Sequence, residues 1–265
     1  MQKQSLVVGL ICTMLHFWGF AQQVPTASEL PFRAGEWFEF RIHYGWFNAS
    51  YATLKLSNDT LNQQPVLHAA GIGKTTGLAR LFFRVDDYYD TYFDPKTVLP
   101  RKFLRNIDEG GYTKNTEIHF DHQKGIAHVN DKKKKVEEDF DIRTTTQDLM
   151  SAFYYLRTFY PQEGLAVGES YALDMFFDKE NYVFKLKFLG TESLRTKFGL
   201  VSCLKFRPIV QAGRVFREEE SVTLWVSNDQ NRIPIRLQAD LAVGSIKADL
   251  NNFSYLKYPF QLQIE

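Results

Sequence analysis

Cysteine is nearly absent from this sequence, which contains only Cys12 and Cys203 among its 265 residues. Cys12 lies in an N-terminal apolar segment that we expect to be removed, so a single cysteine remains and no intrachain disulfide can form. Cys203 follows Val201-Ser202 in a strand-like run, and we interpret it as a small buried hydrophobic residue rather than a nucleophile. Core packing alone must therefore hold the fold together.

The net charge is close to zero, and common catalytic motifs are absent. The chain has 32 Lys and Arg against 31 Asp and Glu, a balance that argues against a nucleic-acid partner. The Lys132 to Lys135 run is followed by Glu137 and Glu138, which is typical of a solvated hairpin tip. No G-x-S-x-G, H-E-x-x-H, P-loop or C-x-x-C motif is present. The sequence thus gives no basis for a cofactor, and the usual signals of acyl transfer, zinc hydrolysis, nucleotide binding and dithiol exchange are lacking.

Long apolar runs are confined to the N-terminus. Lys3 precedes an apolar stretch from Leu6 to Phe20, which ends in Gly19-Phe20-Ala21, the layout of a secretory signal peptide. The run is shorter than the roughly 20 residues of a membrane-spanning helix. We therefore predict a signal peptide over residues 1–21, a mature N-terminus at Gln22, and a periplasmic or extracellular protein without a transmembrane segment. Lipidation is not expected, because Cys12 lies inside the apolar run.

Aromatic residues are abundant, with 23 Phe and 13 Tyr, and they follow an internal repeat. The second half of the chain matches the first at an offset of 133 residues, which becomes 134 near the end. Such self-similarity indicates a duplicated structural unit. The matches are Gly35-Glu36 with Gly168-Glu169, Phe83-Arg84 with Phe216-Arg217, Tyr92 with Trp225, and Leu99-Pro100 with Ile233-Pro234.

Alternation within each half predicts β-strands. Phe38, Phe40, Ile42 and Tyr44 share one face of the first strand, and His43 lies on the other. The second half places Tyr171, Leu173, Met175 and Phe177 at the matching positions. Because a one-residue slip would exchange the two faces, the shared phase supports the repeat strongly.

One segment predicts a helix. Thr145 and Asp148 have capping-box spacing, and Leu149, Phe153, Leu156 and Tyr160 form one stripe before Pro161. The expected fold is mainly β, with two tandem antiparallel units, half-barrel or barrel-like and internally duplicated, joined by this α-helix. The expected boundaries are residues 1–21 for the signal peptide, 22–145 for the first β unit, 146–162 for the connecting helix and 163–265 for the second β unit. Whether the units share one sheet, and the oligomeric state, are left open.

The aromatic strand faces suggest non-catalytic binding of a hydrophobic or lipid-like envelope ligand. A curved sheet could hold such a ligand on its concave face, with the helix as a lid. His43 is the best single candidate for a specific hydrogen bond. The expected ligand-binding residues are Phe38, Phe40, Tyr44, Trp46, Tyr171, Met175 and Phe177.

Acidic clusters support an alternative function, that of an enzyme acting on an envelope glycan. Asp86, Asp87 and Asp90 in the first half, with Glu218 to Glu220 in the second, could supply a carboxylate pair. Alternation separates these neighbours, so we interpret Arg84 with Asp86 and Arg217 with Glu219 as cross-strand ion pairs that fix register. A structural role in an assembly is a third alternative.

Other residues are better explained by structure. A metal site at His119, His122 and His128 is less consistent with the pattern than a surface hairpin, and no metal is expected. Tyr88, Tyr89, Tyr92 and Phe93 could stack sugars or line a groove, but core filling accounts for most of them.

Several long segments resemble an exported bacterial family, the domain of unknown function 3108, especially its Bacteroidetes members. The resemblance covers nearly all of the predicted mature chain and implies no activity, because that family has no established catalytic residues. A short strand, Asp-Pro turn and Leu-Pro pattern also looks like the half-barrel sheets of periplasmic lipoprotein carriers. The segments that resemble the family are GEWFEFRIHYGWFNA, FFRVDDYYDTYFDPKTVLPRKFLRNIDEGGY, TQDLMSAFYYLR, GLVSCLKFRPIVQAGRVF, LWVSNDQNRIPIRL and VGSIKADL.

Overall fold

A computed structural model describes residues 30–159, 164–209 and 222–264. Two helices and fourteen strands are found in these ranges. The helices are α1 (Gly77–Phe82) and α2 (Leu149–Phe159). The strands are β1 (Trp37–Tyr44), β2 (Phe47–Leu61), β3 (Gln64–Thr75), β4 (Asp86–Phe93), β5 (Pro100–Glu109), β6 (Tyr112–Asp121), β7 (Ile126–Asp131), β8 (Val136–Asp141), β9 (Ser170–Phe177), β10 (Glu180–Thr196), β11 (Gly199–Ile209), β12 (Val222–Ser227), β13 (Pro234–Asp240) and β14 (Ser245–Ser254).

All fourteen strands belong to one antiparallel sheet, which is not closed. Its order is β8-β7-β6-β5-β4-β3-β2-β1-β14-β13-β12-β11-β10-β9. We call β1 to β8 the first run of strands and β9 to β14 the second run. Strand β1 pairs with β14, for example Phe38 with Phe253, so the two runs meet in the middle of the sheet. The mainly β prediction with a helix between two runs is confirmed, and the two runs form one continuous sheet.

The two edge strands of the sheet, β8 and β9, approach each other through side chains. Asn181 Nδ2 of β10 donates to the carbonyl oxygen of Asp141 in β8 at 2.7 Å, Lys179 of the β9–β10 turn pairs with Glu138, and one ring contact joins β8 to β9 itself. The rings of Phe140 and Phe176 lie 5.5 Å apart. Because β8 is rich in carboxylates, its free edge is a poor template for pairing with another chain.

Helix α2 is enclosed by the sheet. Tyr154 is fully buried, and its ring lies 4.9 Å from that of Phe32 and 5.3 Å from that of Phe93. The same core cluster contains Phe38 from the first run and Trp225 from the second. Both runs therefore share one core around the helix.

A buried ion pair anchors the C-terminal half of α2. Arg157 Nη1 and Nη2 donate to the two carboxylate oxygens of Glu36 at 2.5 and 2.9 Å, and both side chains are buried. The guanidinium group also donates to the carbonyl oxygens of Asn231 and Pro31. The arginine thus ties the helix to the segment before β1 and to the turn between β12 and β13.

The start of α2 differs from the prediction. Asp148 is the N-cap: its Oδ1 accepts from the backbone of Met150 at 2.7 Å and of Ser151 at 2.8 Å, and Ser151 Oγ accepts from the Asp148 backbone at 2.9 Å. The capping box is therefore Asp148 with Ser151, and Thr145 with Asp148 was the wrong pair. The physical reason is that Gln147 is extended, since it forms a parallel bridge with Met175.

The expected apolar stripe of α2 is right only in part: Phe153 and Leu156 pack against core clusters, as expected. Leu149 is exposed, whereas Ser151, Ala152, Tyr154, Tyr155 and Arg157 are buried. A helix that contacts strands on several sides buries most of its circumference, so a single stripe does not define its orientation. Tyr160 and Pro161 lie outside the described residues. The short helix α1 was not predicted.

Alternation in β1 fails near its end. His43 is buried and Tyr44 is exposed, the reverse of the expectation. The His43 ring contacts the Asp249 carboxylate and the Gly45 carbonyl oxygen, whereas Tyr44 is the last residue of the strand, next to the β1–β2 turn.

Several local geometries recur in the two runs. Gly35 and Gly168 have φ of +96° and +95°, and their amides donate to Leu56 and Phe188 carbonyl oxygens at 2.8 and 2.9 Å. Such positive φ values favour glycine. The β4–β5 and β12–β13 pairings shift at Tyr92/Phe93 and Trp225/Val226. That these recurrences come from a duplication, with the proposed unit boundaries, stays a prediction.

Candidate functional site

A cleft of about 420 Å³ opens on the inner face of β5, β6 and β7. The turn between β9 and β10 forms its opposite wall. We refer to it as the basic cleft, because five basic and two acidic residues line it. Its volume falls within the range of small-molecule sites. The lining residues are Phe103, Arg105, Tyr112, Thr113, Lys114, Thr116, Ile118, Val129, Asp131, Lys133, Lys134, Phe177, Asp178 and Lys179.

Strand register arranges part of this lining into two cross-strand rows. Phe103, Ile118 and Val129 pair across β5, β6 and β7 and form an apolar row. Two residues along each strand, Arg105, Thr116 and Asp131 form a polar row on the same face. The cleft is therefore apolar at depth and polar towards its mouth.

The deep end of the cleft is part of a core cluster. Phe103, Ile118 and Val129 are buried together with Phe120 and Phe176. The Phe120 and Phe176 rings lie 6.3 Å apart in an edge-to-face arrangement. The apolar row is therefore packed against buried aromatic side chains.

The mouth of the cleft carries most of the charge. Asp178, in the β9–β10 turn, accepts from Arg105 Nη1 at 2.6 Å and pairs with Lys114. Lys133 Nζ donates to Thr113 Oγ1 at 2.6 Å and to the Thr113 carbonyl oxygen at 2.9 Å. The Asp178 carboxylate thus pairs with both Arg105 and Lys114, so the mouth has more positive than negative charge. Such a surface attracts an anionic group.

Two buried polar atoms in the cleft lack a partner in the described part of the chain. Thr116 is only 7% exposed, and its Oγ1 has no hydrogen bond. Arg105 Nε is likewise buried and unpaired, while its guanidinium group stacks 4.5 Å from the Phe177 ring. Because buried polar atoms normally have partners, these two atoms point to a ligand or to bound water.

A carboxyl pair lies close to the cleft. Asp87 is buried and accepts from the Asp108 backbone at 3.2 Å. Burial, followed by the neighbouring Glu109 carboxyl, raises the pKa of Asp87 to about 6.

The expected ligand-binding aromatic residues do not gather at one place. Phe38 and Met175 are buried beneath α2, and Phe40 and Tyr171 pack against core clusters. Trp46, at the tip of the β1–β2 turn, is 92% exposed. Of the expected set, only Phe177 lines the basic cleft, whereas Tyr44 donates from its hydroxyl to the Val243 carbonyl oxygen.

The acidic cluster of β4 is divided among separate partners. Arg84 Nε lies 2.6 Å from Asp86 Oδ2, and Arg80 of α1 makes two further hydrogen bonds to that carboxylate. These hydrogen bonds from Arg80 and Arg84 lower the pKa of Asp86. The pairing exists, but it joins nearby residues of one segment and was wrongly expected to cross strands. Arg217 and Glu219, like Glu218 and Glu220, lie outside the described residues.

The histidines have separate neighbours. His43 Nε2 lies 3.0 Å from Asp249 Oδ2, so His43 does make a specific polar contact. His119 contacts Glu117, His128 contacts Asp139, and His122 contacts the Pro100 carbonyl oxygen. In the described ranges no group of three or more His, Cys, Asp and Glu side chains could hold a metal ion. Cys203 is buried, and burial raises its pKa to about 12.

Other predicted aromatic positions have structural partners. Phe93 is fully buried, and Tyr92 stacks on His68 with ring centroids 4.3 Å apart. Tyr88 lies beside Lys74, and Tyr89 packs against Phe103. The four residues do not form one groove.

Sequence reasoning missed the basic cleft itself. The available signal was the same-face alternation Phe103-Arg105 in β5 and Lys114-Thr116-Ile118 in β6. This alternation mixes basic and apolar side chains on an inward face, where the apolar residues alone were expected. The Lys132 to Lys135 run was correctly predicted as a hairpin tip, between β7 and β8.

The single curved sheet around an enclosed helix defines a β-barrel-like fold class. The family described as "Protein of unknown function (DUF3108)" matches residues 39–251, and the chain belongs to this family. The resemblance seen in the sequence is thereby confirmed. No curated protein matches the sequence.

The solved structures to which this chain is similar include members of two other families. A β-barrel-like protein of domain of unknown function DUF1849 from Brucella abortus has 9% identity and a TM-score of 0.52, covering 84% of this chain and 98% of its own. A DUF1089 family protein from Pseudomonas aeruginosa has 14% identity and a TM-score of 0.39, covering 71% and 88%. The similarity to the Brucella protein concerns the fold alone. No helix in the described ranges is long and apolar enough to cross a membrane.

Proposed function

We propose that this protein binds one anionic amphipathic molecule, such as a fatty acid or an acidic lipid, in the basic cleft without changing it chemically. The observation that carries the proposal is the unpartnered Thr116 hydroxyl, set between an apolar row and a basic mouth. A hydroxyl buried without a partner costs about 1–3 kcal/mol, which a ligand hydrogen bond would recover.

The strand direction suggests a head-out pose. Along β6 from the mouth inwards the facing residues are Lys114, Thr116 and Ile118. At roughly 3.4 Å per residue, Lys114 and Ile118 are about 14 Å apart along the strand. An acyl chain would contact Phe103, Ile118 and Val129, and its anionic group would lie near Lys114 and Lys133.

Replacing the unpartnered hydroxyl gives the sharpest test. We expect Thr116→Val to weaken binding of a fluorescent fatty-acid probe about tenfold, while it raises the free energy of unfolding of the ligand-free protein by about 1 kcal/mol. Affinity falls because the valine methyl group cannot donate a hydrogen bond to the ligand. Stability rises because the same change removes a buried oxygen that has no partner in the ligand-free protein. Thr223→Val is the control, since Thr223 is equally buried in β12, away from the cleft.

Charge at the mouth can be tested with the same probe. We expect Lys133→Met to weaken binding, with Lys124→Met on another turn as the control, and added salt to weaken binding of the acid but not of the matching fatty alcohol. Unchanged affinity in both Thr116→Val and Lys133→Met, or equal affinity for acid and alcohol, would contradict the proposal.

We also propose that the protein is exported, with residues 1–21 removed as a signal peptide. The support is the basic, apolar and small-residue order of that segment, which lies outside the described residues. Intact-mass measurement of the protein recovered from the envelope fraction should give a chain beginning at Gln22. A mass that retains residues 1–21, or one increased by acyl chains, would refute this.

The glycan-enzyme alternative finds less support. Asp86 is held by two arginines, and Asp90 Oδ1 lies 2.7 Å from His68 Nε2. The remaining candidate is Asp87 with Glu109, but the Asp87 side chain is buried and therefore poorly placed to reach a glycan. Non-catalytic binding therefore accounts better for the site.

A further inference from the structure

One rim of the sheet is unusually apolar and basic at its tips. Successive hairpins of a meander alternate between two rims, and the β1–β14 pairing of Tyr44 with Ile246 places the β13–β14 turn on the same rim as the β1–β2 turn. This rim also carries α1, the β5–β6 turn and the β7–β8 turn. We call it the aromatic rim, defined by the exposed residues Trp46, Leu78, Leu81, Phe82, Phe83, Tyr112 and Val243 together with Lys132 to Lys135.

Direct contacts connect these tips into one surface. The Tyr44 hydroxyl donates to the Val243 carbonyl oxygen at 2.9 Å, and the Thr76 amide before α1 donates to the Ala49 carbonyl oxygen at 3.1 Å. The Gly110 amide donates to the Arg84 carbonyl oxygen at 2.8 Å. Lys133 then reaches Thr113, next to Tyr112. The rim therefore runs without a break from Val243 to the lysines.

The exposure of these side chains is high for their type. Trp46 is 92% exposed and Phe82 is 86% exposed, although both are large and apolar. Helix α1 has no buried residue, and it presents Leu78, Leu81 and Phe82 together. Contiguous exposed apolar surface of this kind marks an interaction site.

The turns of the opposite rim differ in character. Among the described residues, the turns at 62–63, 94–99, 122–125, 197–198 and 228–233 contribute no exposed large hydrophobic residue. This rim is not free of apolar surface, because exposed Tyr255 directly follows β14 and exposed Leu262 lies beside Gly199 at the β10–β11 turn. A basic run beside aromatic tips occurs on the aromatic rim alone, within the ranges that the structure describes.

We propose that the aromatic rim docks on the surface of an anionic lipid bilayer. Tryptophan and phenylalanine partition into the interface between headgroups and acyl chains, and neighbouring lysines are attracted to anionic headgroups. The positive run at Lys132 to Lys135 complements such a surface. The proposal does not depend on a ligand in the basic cleft, but docking would turn the mouth of that cleft, at Tyr112 and Lys133, towards the membrane.

Vesicle co-sedimentation tests the contribution of charge. The protein recovered from the exporting cell should sediment with vesicles of phosphatidylcholine and phosphatidylglycerol, and at least tenfold more weakly with phosphatidylcholine alone. Lys134→Glu should weaken binding to the anionic vesicles by roughly fivefold or more. Lys124→Glu is the matched control, since Lys124 and Lys134 are each 75% exposed at a turn, with an aspartate three residues earlier.

The apolar tips need a second pair of variants. Leu81→Ser with Phe82→Ser should reduce sedimentation at least tenfold, whereas Val167→Ser with Ile264→Ser should leave it unchanged. Because each variant and its control share the same termini, binding through either end of the chain would not separate them. Circular dichroism and thermal unfolding would establish that these two double variants and the two lysine variants are folded.

Fluorescence reports whether the tip itself enters the interface. The emission of Trp46 should shift to shorter wavelength on anionic vesicles, and Trp46→Phe should abolish the shift. Absence of sedimentation, equal loss in the variants and their controls, or no emission shift would overturn the proposal; self-association of the protein without vesicle binding would favour a second copy as the occupant.

Discussion

Glu36 and Arg157 show how much one buried side-chain pair can organise. The arginine donates from all three of its side-chain nitrogens to one carboxylate and two carbonyl oxygens, and its guanidinium group lies 5.2 Å from the Phe32 ring centre. Bidentate geometry and full hydrogen bonding are the conditions under which a buried ion pair is tolerated. The pair therefore fixes where α2 sits inside the sheet.

Removing one partner of this pair should be costly. We expect Glu36→Gln to lower the free energy of unfolding by roughly 3 kcal/mol, because the buried guanidinium group loses its compensating charge. Glu169→Gln, at the repeat-equivalent position, should change it by no more than about 0.5 kcal/mol, because Glu169 is exposed. Urea unfolding of both variants measures this, and equal effects would show that the ion pair does not anchor the helix.

Asp148 should make stability depend on pH. Burial raises its pKa to about 6, from an ordinary value of 3.8. The folded protein holds this proton more tightly than the unfolded chain, so the stabilisation is complete below about pH 4 and is lost as pH rises through 6. The difference amounts to about 3 kcal/mol.

The Asp148→Asn variant separates this contribution from that of Asp87, which titrates in the same range. An asparagine oxygen can still accept from the Met150 and Ser151 amides. Between pH 4 and 7, wild-type stability should fall relative to the variant, as measured by urea unfolding at each pH. Parallel stability curves would exclude Asp148 as the titrating group.

At the level of elements, the two turns before β5 and β13 have the same construction. Asp94 Oδ1 accepts from the Lys96 and Thr97 amides at 2.8 and 3.1 Å, and Asp229 Oδ1 accepts from the Asn231 and Arg232 amides at 3.0 and 3.1 Å. Val98 and Arg232 then have φ of +60° and +50°. Each aspartate thus stabilises a turn that returns the chain through a left-handed residue.

We expect Asp94→Ala and Asp229→Ala each to lower the free energy of unfolding by about 1–2 kcal/mol, because each leaves two amides without their acceptor. The exposed Lys96→Ala, in the first of these turns, should have little effect. Thermal unfolding of the three variants checks the prediction. A large effect in only one turn would show that the two turns are not equivalent in energy, despite their common geometry.

The sequence predicted those properties that depend on local pattern. The strand content, the two runs and the Asp-Pro turn follow from alternation and turn chemistry, which act over a few residues. The buried face of α2 could not be predicted, because strands from both runs surround it. The burial of His43 depends on its contact with Asp249 of β14, which is distant in sequence. The alternation in β5 and β6 was a local signal for the basic cleft, but the cleft also depends on register across three strands, which a local pattern does not show.

At the scale of the whole molecule, the first and last strands of the described ranges, β1 and β14, lie in the middle of the sheet. The strands from the middle of the sequence, β8 and β9, lie at its edges. β8 and β9 are joined by the segment that contains α2, yet they are the two edge strands. β1 and β14, more than two hundred residues apart, are hydrogen-bonded neighbours. The shared core depends on this arrangement, since it takes residues from both runs.

The β1–β14 pairing has a consequence for how the chain acquires its structure. β14 is synthesised more than two hundred residues after β1, so the edge of β1 that it covers stays unpaired until that late stage. Native folding must wait for the C-terminal strand, and the high contact order implies a slow final step. Until then the edge of β1 lacks its partner from the second run of strands, and an unpaired strand edge is open to pairing with other chains.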